Sequence, residues 1–328
     1  MAYTTTDLSA AAQTTAATAG KPFILPAGRV GNGLSTHIGD TTITWDTNAT
    51  ATSDIAEADY PTSRLYDGHS HLKTRPNISS GSVSAVYLHI VTEIPTLDTI
   101  YIGGHNLNTA GANPTMTIEI ADNAAYTSNL ITLISFAGFS ASKDARLCFF
   151  NLGPAGGGST IKQYGEVTHA RIKITHGTGN FTTKPEIGEI VLGTREQLSQ
   201  RPDVPFDDQA FSSDAVDFRS KSGILTRYIR NTGQRSFAHR HSPTGSDAYG
   251  LDDLTTIRNW YKNTRRGVEP FIYVPDPTNT ITGINGATSA AFVCHFDDPR
   301  QGLPLTGPSL REANINFSES APFVDSEG

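Results

Sequence analysis

The sequence predicts a mainly β protein, and three observations carry that prediction. Short stretches of alternating apolar and polar residues recur from about Ile43 to Leu192, the period of strands with one face buried. Clusters rich in Gly, Asn and Pro separate these stretches, as turn residues do between antiparallel strands. A single segment, roughly Asp252 to Arg266, has the spacing and charge distribution of a helix instead.

The first twenty residues, Ser9 to Ala19 above all, are small, polar and almost uncharged. They offer too little apolar surface to offset the entropy of ordering, so residues 1–42 are expected to form a flexible arm, disordered alone or ordered by neighbouring subunits. In Ser84–Ile90 one face carries Val86, Leu88 and Ile90; Met116, Ile118 and Ile120 alternate with Thr117 and Glu119, which are expected to point to water. Ala170–Thr175 repeats the scheme, with Ile172 and Ile174 inward and the charges outward. Turns are expected at Gly103-Gly104, Asn108 to Pro114, Gly153 to Gly158 and Gly177 to Asn180. This punctuation over 43–197 predicts a β-sandwich, and no internal repeat points to a propeller or solenoid.

A length of 328 residues exceeds what one core usually serves. Leu198 to Pro205 contains Pro202 and Pro205 in a polar stretch, which denies both helix and central strand. The boundary is therefore placed there, with 198–328 as a second β-rich domain. Its expected strands are Ile224–Ile229, Phe271–Val274, Ala291–Phe296 and Ile315–Phe317. The helix expected at 252–266 has Leu254, Ile257 and Tyr261 as its stripe, with Trp260 adjacent. Asp252 and Asp253 complement the positive end of its dipole, Lys262, Arg265 and Arg266 the negative end, and Gly267 stops it.

Charged residues are only 17% of the chain, below the roughly 25% of average domains. The net charge of −7 argues against nucleic acid as a partner, since phosphate binding needs clustered Lys and Arg. No run of about 20 apolar residues predicts membrane insertion, and Met1 to Thr6 lacks the pattern of a signal peptide. Synthesis and retention in cytoplasm are expected. The cysteines Cys148 and Cys294 sit among apolar residues and read as buried free thiols, with no pair spaced for zinc.

No complete catalytic constellation emerges, and neither catalytic residues, a cofactor nor a metal is expected. His69-Ser70-His71 and His239-Arg240-His241 each place imidazoles on one strand face, yet zinc wants three or four ligands. Gly156-Gly157-Gly158-Ser159-Thr160 lacks the lysine of a phosphate loop, and no Gly-x-Ser-x-Gly elbow occurs. Asp207-Asp208, Asp252-Asp253 and Asp297-Asp298 read as turn or cap residues rather than acid pairs. Trp45, Tyr66, Tyr87 and Tyr126 are the aromatics that could stack on sugar rings, with core packing as the plainer role.

The segment Thr99-Ile100-Tyr101-Ile102-Gly103-Gly104-His105-Asn106-Leu107 resembles a strand and turn of galactose-binding-like (discoidin-type) sandwiches in phage tail and particle proteins. Tyr60 to Gly68 is similar to the lead into the first core strand, and Ala170 to Ile174 with Glu186 to Gly193 to the closing strands. In the second half, Ser222-Gly223-Ile224-Leu225 to Ser236-Phe237, the helix, and Pro270 to Pro277 look like the β-domain of tail-associated proteins of long-tailed phages. The resemblance implies a jelly-roll sandwich followed by a tail-type β-domain. It implies a structural, non-enzymatic virion component of the tail or tail tip, acting in assembly and host attachment as a homo-oligomer among other virion proteins. His105 and Asn106 would be turn-forming residues, with no sugar site carried over. The alternatives are a carbohydrate-binding adhesin contacting a host surface glycan and, behind it, a surface-glycan depolymerase.

Overall fold

The computed structural model describes residues 4–7, 21–26, 35–37, 42–50, 52–66, 72–110, 113–137, 139, 146–150, 162–198, 210–219, 225–241, 254–264, 267–277, 287–297 and 313–319. The chain begins with β1 (Thr4–Asp7), β2 (Phe23–Pro26), β3 (Ser35–His37) and β4 (Thr42–Asp46), then a 3-10 turn at Thr62–Tyr66. It continues through β5 (Ala85–Leu97), β6 (Thr99–Gly103), β7 (Thr115–Ala121), β8 (Ile131–Ala137), β9 (Arg146–Phe149), β10 (Lys162–Thr175) and β11 (Glu189–Gly193). The later elements are β12 (Glu196–Gln197), β13 (Ala210–Arg219), β14 (Leu225–His241), α1 (Leu254–Asn263), β15 (Phe271–Val274), β16 (Ala287–Thr288), β17 (Phe292–Phe296) and β18 (Ala313–Glu319).

The strands form three sheets. The front sheet has the order β4-β5-β10-β7-β8, with β1 added to β10; the middle sheet is β16-β9-β6-β11-β3; the rear sheet is β12-β2-β15-β17-β18-β14-β13. All described ladders are antiparallel. The fold is therefore mainly β with a helix, as the sequence predicts.

The strand period explains how the sheets stack. Val86, Leu88 and Ile90 of β5, Met116, Ile118 and Ile120 of β7, and Ile172 and Ile174 of β10 point from the front sheet into one core. Ile100 and Ile102 of β6, Leu147 and Phe149 of β9, and Ile190 and Leu192 of β11 meet them from the middle sheet. These two layers are the sandwich. The intervening residues Tyr101, Cys148 and Val191 face the other way, where they pack with Phe23, Leu25, Ile272, Val274 and Val293 of the rear sheet. Covered on both faces, β6, β9 and β11 are buried along their whole length. That is why they read as nearly unbroken apolar runs rather than alternating ones.

The far face of the rear sheet carries the third core. Ile24, Phe237, Phe271, Tyr273, Phe292, Cys294, Phe296, Ile315 and Phe317 pack there with Ile257 and Trp260 of α1. Both cysteines are buried and free. Burying such side chains contributes about 1.5–3 kcal/mol each, and this apolar packing dominates the stability of the stack.

The helix is shorter than the 252–266 expected, and its buried aromatic is Trp260, not Tyr261. Ile257, Trp260 and Thr264 are buried whereas Tyr261 is only half-buried, so the stripe runs i, i+3, i+7. The indole Nε1 fixes the choice by donating to the Glu196 carbonyl oxygen at 3.1 Å. Gly267 follows with φ of 80°, the left-handed geometry that glycine tolerates best. Its amide donates to Thr264 Oγ1 at 3.2 Å.

Two expectations about organisation meet a different arrangement. Within the arm expected to be flexible over 1–42, β2 is a buried strand of the rear sheet, with Leu25 opposite Ile272 and Phe23 opposite Gln197. The expected linker begins with Leu198, which is buried and donates its amide to the Pro22 carbonyl at 3.1 Å. The exchange runs both ways, since β16 leaves the C-terminal half to pair with β9, Thr288 opposite Cys148. A local reading of periodicity does not register such long-range partners.

Glu196 of β12 supports α1 with its side chain as well, accepting a hydrogen bond from Asn263 Nδ2. Burial raises its carboxyl to about 7, although that hydrogen bond acts to lower it. A value raised on folding means the stabilisation is complete below the ordinary 4.5 and disappears as pH climbs through about 7. Thermal unfolding followed across this window should show the wild-type midpoint falling as pH rises. Glu196→Gln should flatten that part of the curve.

Candidate functional site

Two regions of the sandwich gather polar side chains. The first is the end where β6 hands over to the turn containing Gly103, Gly104, His105 and Asn106. The Asn106 side chain accepts from the Glu186 amide at 2.8 Å and donates to the Lys184 carbonyl at 2.9 Å. His105 is buried, and its Nδ1 accepts from the Leu107 amide at 3.4 Å. Burial, with Lys73 adding repulsion, pushes its imidazole down to about 3. Both side chains hold the turn from inside.

Around them lies a ring of ion pairs. Glu57 meets Arg75 at 2.5 Å and also Lys184, while Glu186 meets Arg75 at 3.2 Å and Lys73 at 3.4 Å. The Arg75 guanidinium lies 3.7 Å from the Tyr60 ring centroid, and that of Arg64 lies at 5.1 Å. Although burial acts to raise it, hydrogen bonds from Lys184 and Arg75 hold the Glu57 carboxyl below its usual range. These charges satisfy one another, and cations already occupy the space about the one aromatic ring among them.

The second region is the solvent side of the front sheet. Pairing places His89, Arg171 and Glu119 in one row across β5, β10 and β7, and Tyr87, Lys173 and Thr117 in the next. Ser135 of β8 continues the second row opposite Thr117. Loops from both edges fold over the first row. Arg171 Nε donates to Glu119 Oε2 at 2.6 Å, and an η nitrogen donates to the Ala49 carbonyl at 2.5 Å. The Tyr126 ring covers the guanidinium at 4.4 Å, and its hydroxyl donates to the Ala170 carbonyl at 2.7 Å. Arg171 and Glu119, expected to face water, are thus on the outer face but buried beneath loops.

Backbone geometry shows that this cover is built in. Tyr126 adopts φ of 54°, a left-handed conformation that a bulky residue reaches only at a cost of about 1–3 kcal/mol. The opposite loop is tied by Asp46, whose carboxylate accepts from the amides of Asn48, Thr52 and Ser53 at 2.9, 2.8 and 3.0 Å. Burial works to raise that carboxyl, but these amides bring it down to about 2. Beneath the loop, burial lowers the His89 imidazole despite the Asn48 carbonyl, which its Nε2 contacts at 3.1 Å.

The second row stays open. Tyr87, Lys173 and Thr117 are half-buried, Ser135 is exposed, and exposed Asn48 stands on the rim. The Tyr87 ring lies nearly parallel to His89, with Arg171 at 5.6 Å and Lys173 Nζ at 5.9 Å from its centroid. A flat ring, an ammonium and hydroxyls in line can bind a polyhydroxylated ligand by stacking and hydrogen bonding.

Of the aromatics the sequence offers for sugar stacking, three have described side chains, and Tyr87 is the one placed for it. Trp45 is fully buried, its Nε1 donating to Thr74 Oγ1 at 3.0 Å, Tyr126 is spent on Arg171, and the Tyr66 side chain lies outside the described residues. His239 is buried with Nε2 2.6 Å from the Tyr273 hydroxyl, while the His241 side chain, His69 and His71 lie outside the description. Asp297 accepts from Ser318 Oγ of β18 at 2.6 Å. Asp207, Asp208, Asp252, Asp253, Asp298 and Gly156 to Thr160 also fall outside it. No group of three potential metal ligands exists among the described residues. The sequence reading missed Lys173 and Thr117 as ligand candidates, although their alternation with Ile172, Ile174 and Ile118 already put them beside Tyr87's face.

No family model matches this chain, and no curated protein matches it. Among solved structures it is similar to the family 32 carbohydrate-binding module of C. perfringens NanJ, solved in complex with galactose. Identity there is 13% over 53% of this chain and 99% of that one, with a TM-score of 0.31. The module CBM32-3 of a family 31 glycoside hydrolase from Clostridium perfringens gives 12% identity, 51% and 99% coverage and a TM-score of 0.33. Chitosan-binding module 1 of a chitosanase/glucanase from Paenibacillus sp. IK-5 gives 16%, 47% and 96%, and 0.28. Of the larger SpGH29, the chain spans 27% of the length. At these scores the likeness places no ligand on this chain.

Proposed function

We propose that this chain is a non-catalytic binding protein, an adhesin whose sandwich takes a surface glycan on the open row of the front sheet. The observation that supports it is the half-buried Tyr87 ring with Lys173 beside it and Thr117 and Ser135 in line. The strained Tyr126 and the locked Arg171 keep the neighbouring row immobile, so little ordering cost falls on binding. Tyr87 stacks against a sugar face, and Lys173 donates to hydroxyl or carboxylate oxygens.

Glycan-array screening of neutral and acidic oligosaccharides, followed by calorimetry, tests this. Tyr87→Ala and Lys173→Ala should each weaken the selected ligand about tenfold or more, equivalent to about 1.4 kcal/mol, with unchanged unfolding curves. Binding that is indifferent to both substitutions refutes the site.

A second reading, a structural component of a bacteriophage tail or tail tip, is favoured by the exchanged strands. β2 and β16 cross between the halves, making one stiff body suited to holding position in an assembly. Antibody labelling of purified particles checks it, since a virion component must label them.

A further inference from the structure

The outer face of the front sheet continues one row past Tyr87, Lys173, Thr117 and Ser135. There, pairing sets Ala85, Thr175, Thr115 and Ala137 side by side on β5, β10, β7 and β8. The register shifts of these ladders fall at Val167/His169 and Ile118/Glu119, so both rows run unbroken across the four strands. With strands about 4.8 Å apart, each row is roughly 14 Å long, more than one sugar ring covers. The added row consists of small side chains, half-buried except for exposed Ala137. On the opposite flank, Ala49 and Tyr126 come down on Arg171 and close the row of His89, Arg171 and Glu119.

The polar groups of the two open rows lack protein partners. Among the described residues, the hydroxyls of Thr115, Thr117, Ser135 and Thr175 make no hydrogen bond, and the Lys173 ammonium makes neither hydrogen bond nor ion pair. Lys173 Nζ stands 5.9 Å from the Tyr87 ring centroid, the outer reach of a cation–π contact, which leaves its three N–H donors for a ligand. The neighbouring acids are already engaged. Glu119 Oε2 accepts from Arg171 Nε at 2.6 Å, and Asp46, opposite Tyr87, accepts the amides of Asn48, Thr52 and Ser53. An ammonium bonds an anionic oxygen roughly twice as strongly as two neutral groups bond each other, so charge complementarity favours an acid.

We infer, resting on the glycan reading above, that this face selects an acidic oligosaccharide laid across β5, β10, β7 and β8. Its carboxylate or sulfate sits on Lys173, and its hydroxyls meet Thr117 and Ser135 in one row and Thr175 and Thr115 in the next.

The test is an array carrying uronate, sialate and sulfated oligosaccharides beside neutral ones, probed with the full chain. Calorimetry then compares the best acidic ligand with its carboxyl-reduced or desulfated form, which also tells carboxylate from sulfate. The acid should bind about tenfold or more tightly than its neutral form, and its affinity should fall as NaCl rises from about 50 to about 500 mM. Lys173→Gln should make the two forms bind alike, whereas Lys173→Arg should keep the preference. Thr115→Val with Thr175→Val should weaken both forms about threefold, with thermal unfolding unchanged. Neutral and acidic glycans that bind equally through Tyr87 would overturn the acidic specificity and leave the glycan site standing. An acid preference that survives Lys173→Gln, or is insensitive to salt, overturns it as well. Absence of binding to any glycan removes the site and its specificity together.

Discussion

Arg146→Ala should destabilise the protein by about 3–5 kcal/mol, the cost of removing one partner of a buried ion pair. Arg146 of the middle sheet donates to Glu319 of the rear sheet at 3.0 Å, and the two side chains are only 6% and 5% exposed. The guanidinium also lies 4.7 Å from the Phe292 ring centroid, so alanine removes packing as well as charge. Burial raises the Glu319 carboxyl while Arg146 and Arg235 pull it down. Without Arg146 the carboxyl takes up a proton more readily, and the defect should shrink as pH falls. Denaturant unfolding at neutral and acidic pH checks both the size and the trend. Arg146→Met combined with Glu319→Leu should recover most of the loss, because an apolar pair carries no desolvation penalty.

Phe317→Ala should be comparably damaging, at about 3–5 kcal/mol. Its ring is fully buried, with centroids of Tyr273, His239, Phe237 and Phe271 at 4.5, 5.1, 5.3 and 5.5 Å. A void at the hub of so many rigid rings cannot close by rotamer changes alone. Phe317→Leu, which keeps much of the volume, should cost clearly less. Near-ultraviolet circular dichroism should lose intensity in the alanine variant below its unfolding midpoint, reporting the loosened aromatic cluster.

The strands of the front sheet were legible because each has one face in a core and one toward solvent. Met116, Ile118 and Ile120 are buried as their alternation requires, and Phe271–Val274 is β15 residue for residue. What alternation cannot convey is whether something lies over the outer face. Glu119 and Arg171 occupy the side expected, yet loops cover both, and no local pattern records that Ala49 and Tyr126 come to rest on the same guanidinium. For the same reason Tyr126 and Tyr87 looked equivalent as stacking residues and proved different. The place of β2 was hidden because its partners, Glu196, Gln197 and Phe271 to Val274, lie far along the chain.

The insertion of Phe23–Pro26 between β12 at 196–197 and β15 at 271–274, both far downstream, sets the order of events during synthesis. A ribosome emitting this polypeptide releases β2 long before residues 271–274 exist to receive it. Phe23, Ile24 and Leu25 must wait uncovered while most of the translation product follows. Loop closure over such separations is slow, and chaperone occupancy of the early segment is the natural safeguard during that interval. Cutting the gene near codon 198 would yield two fragments, each lacking a strand that the other retains.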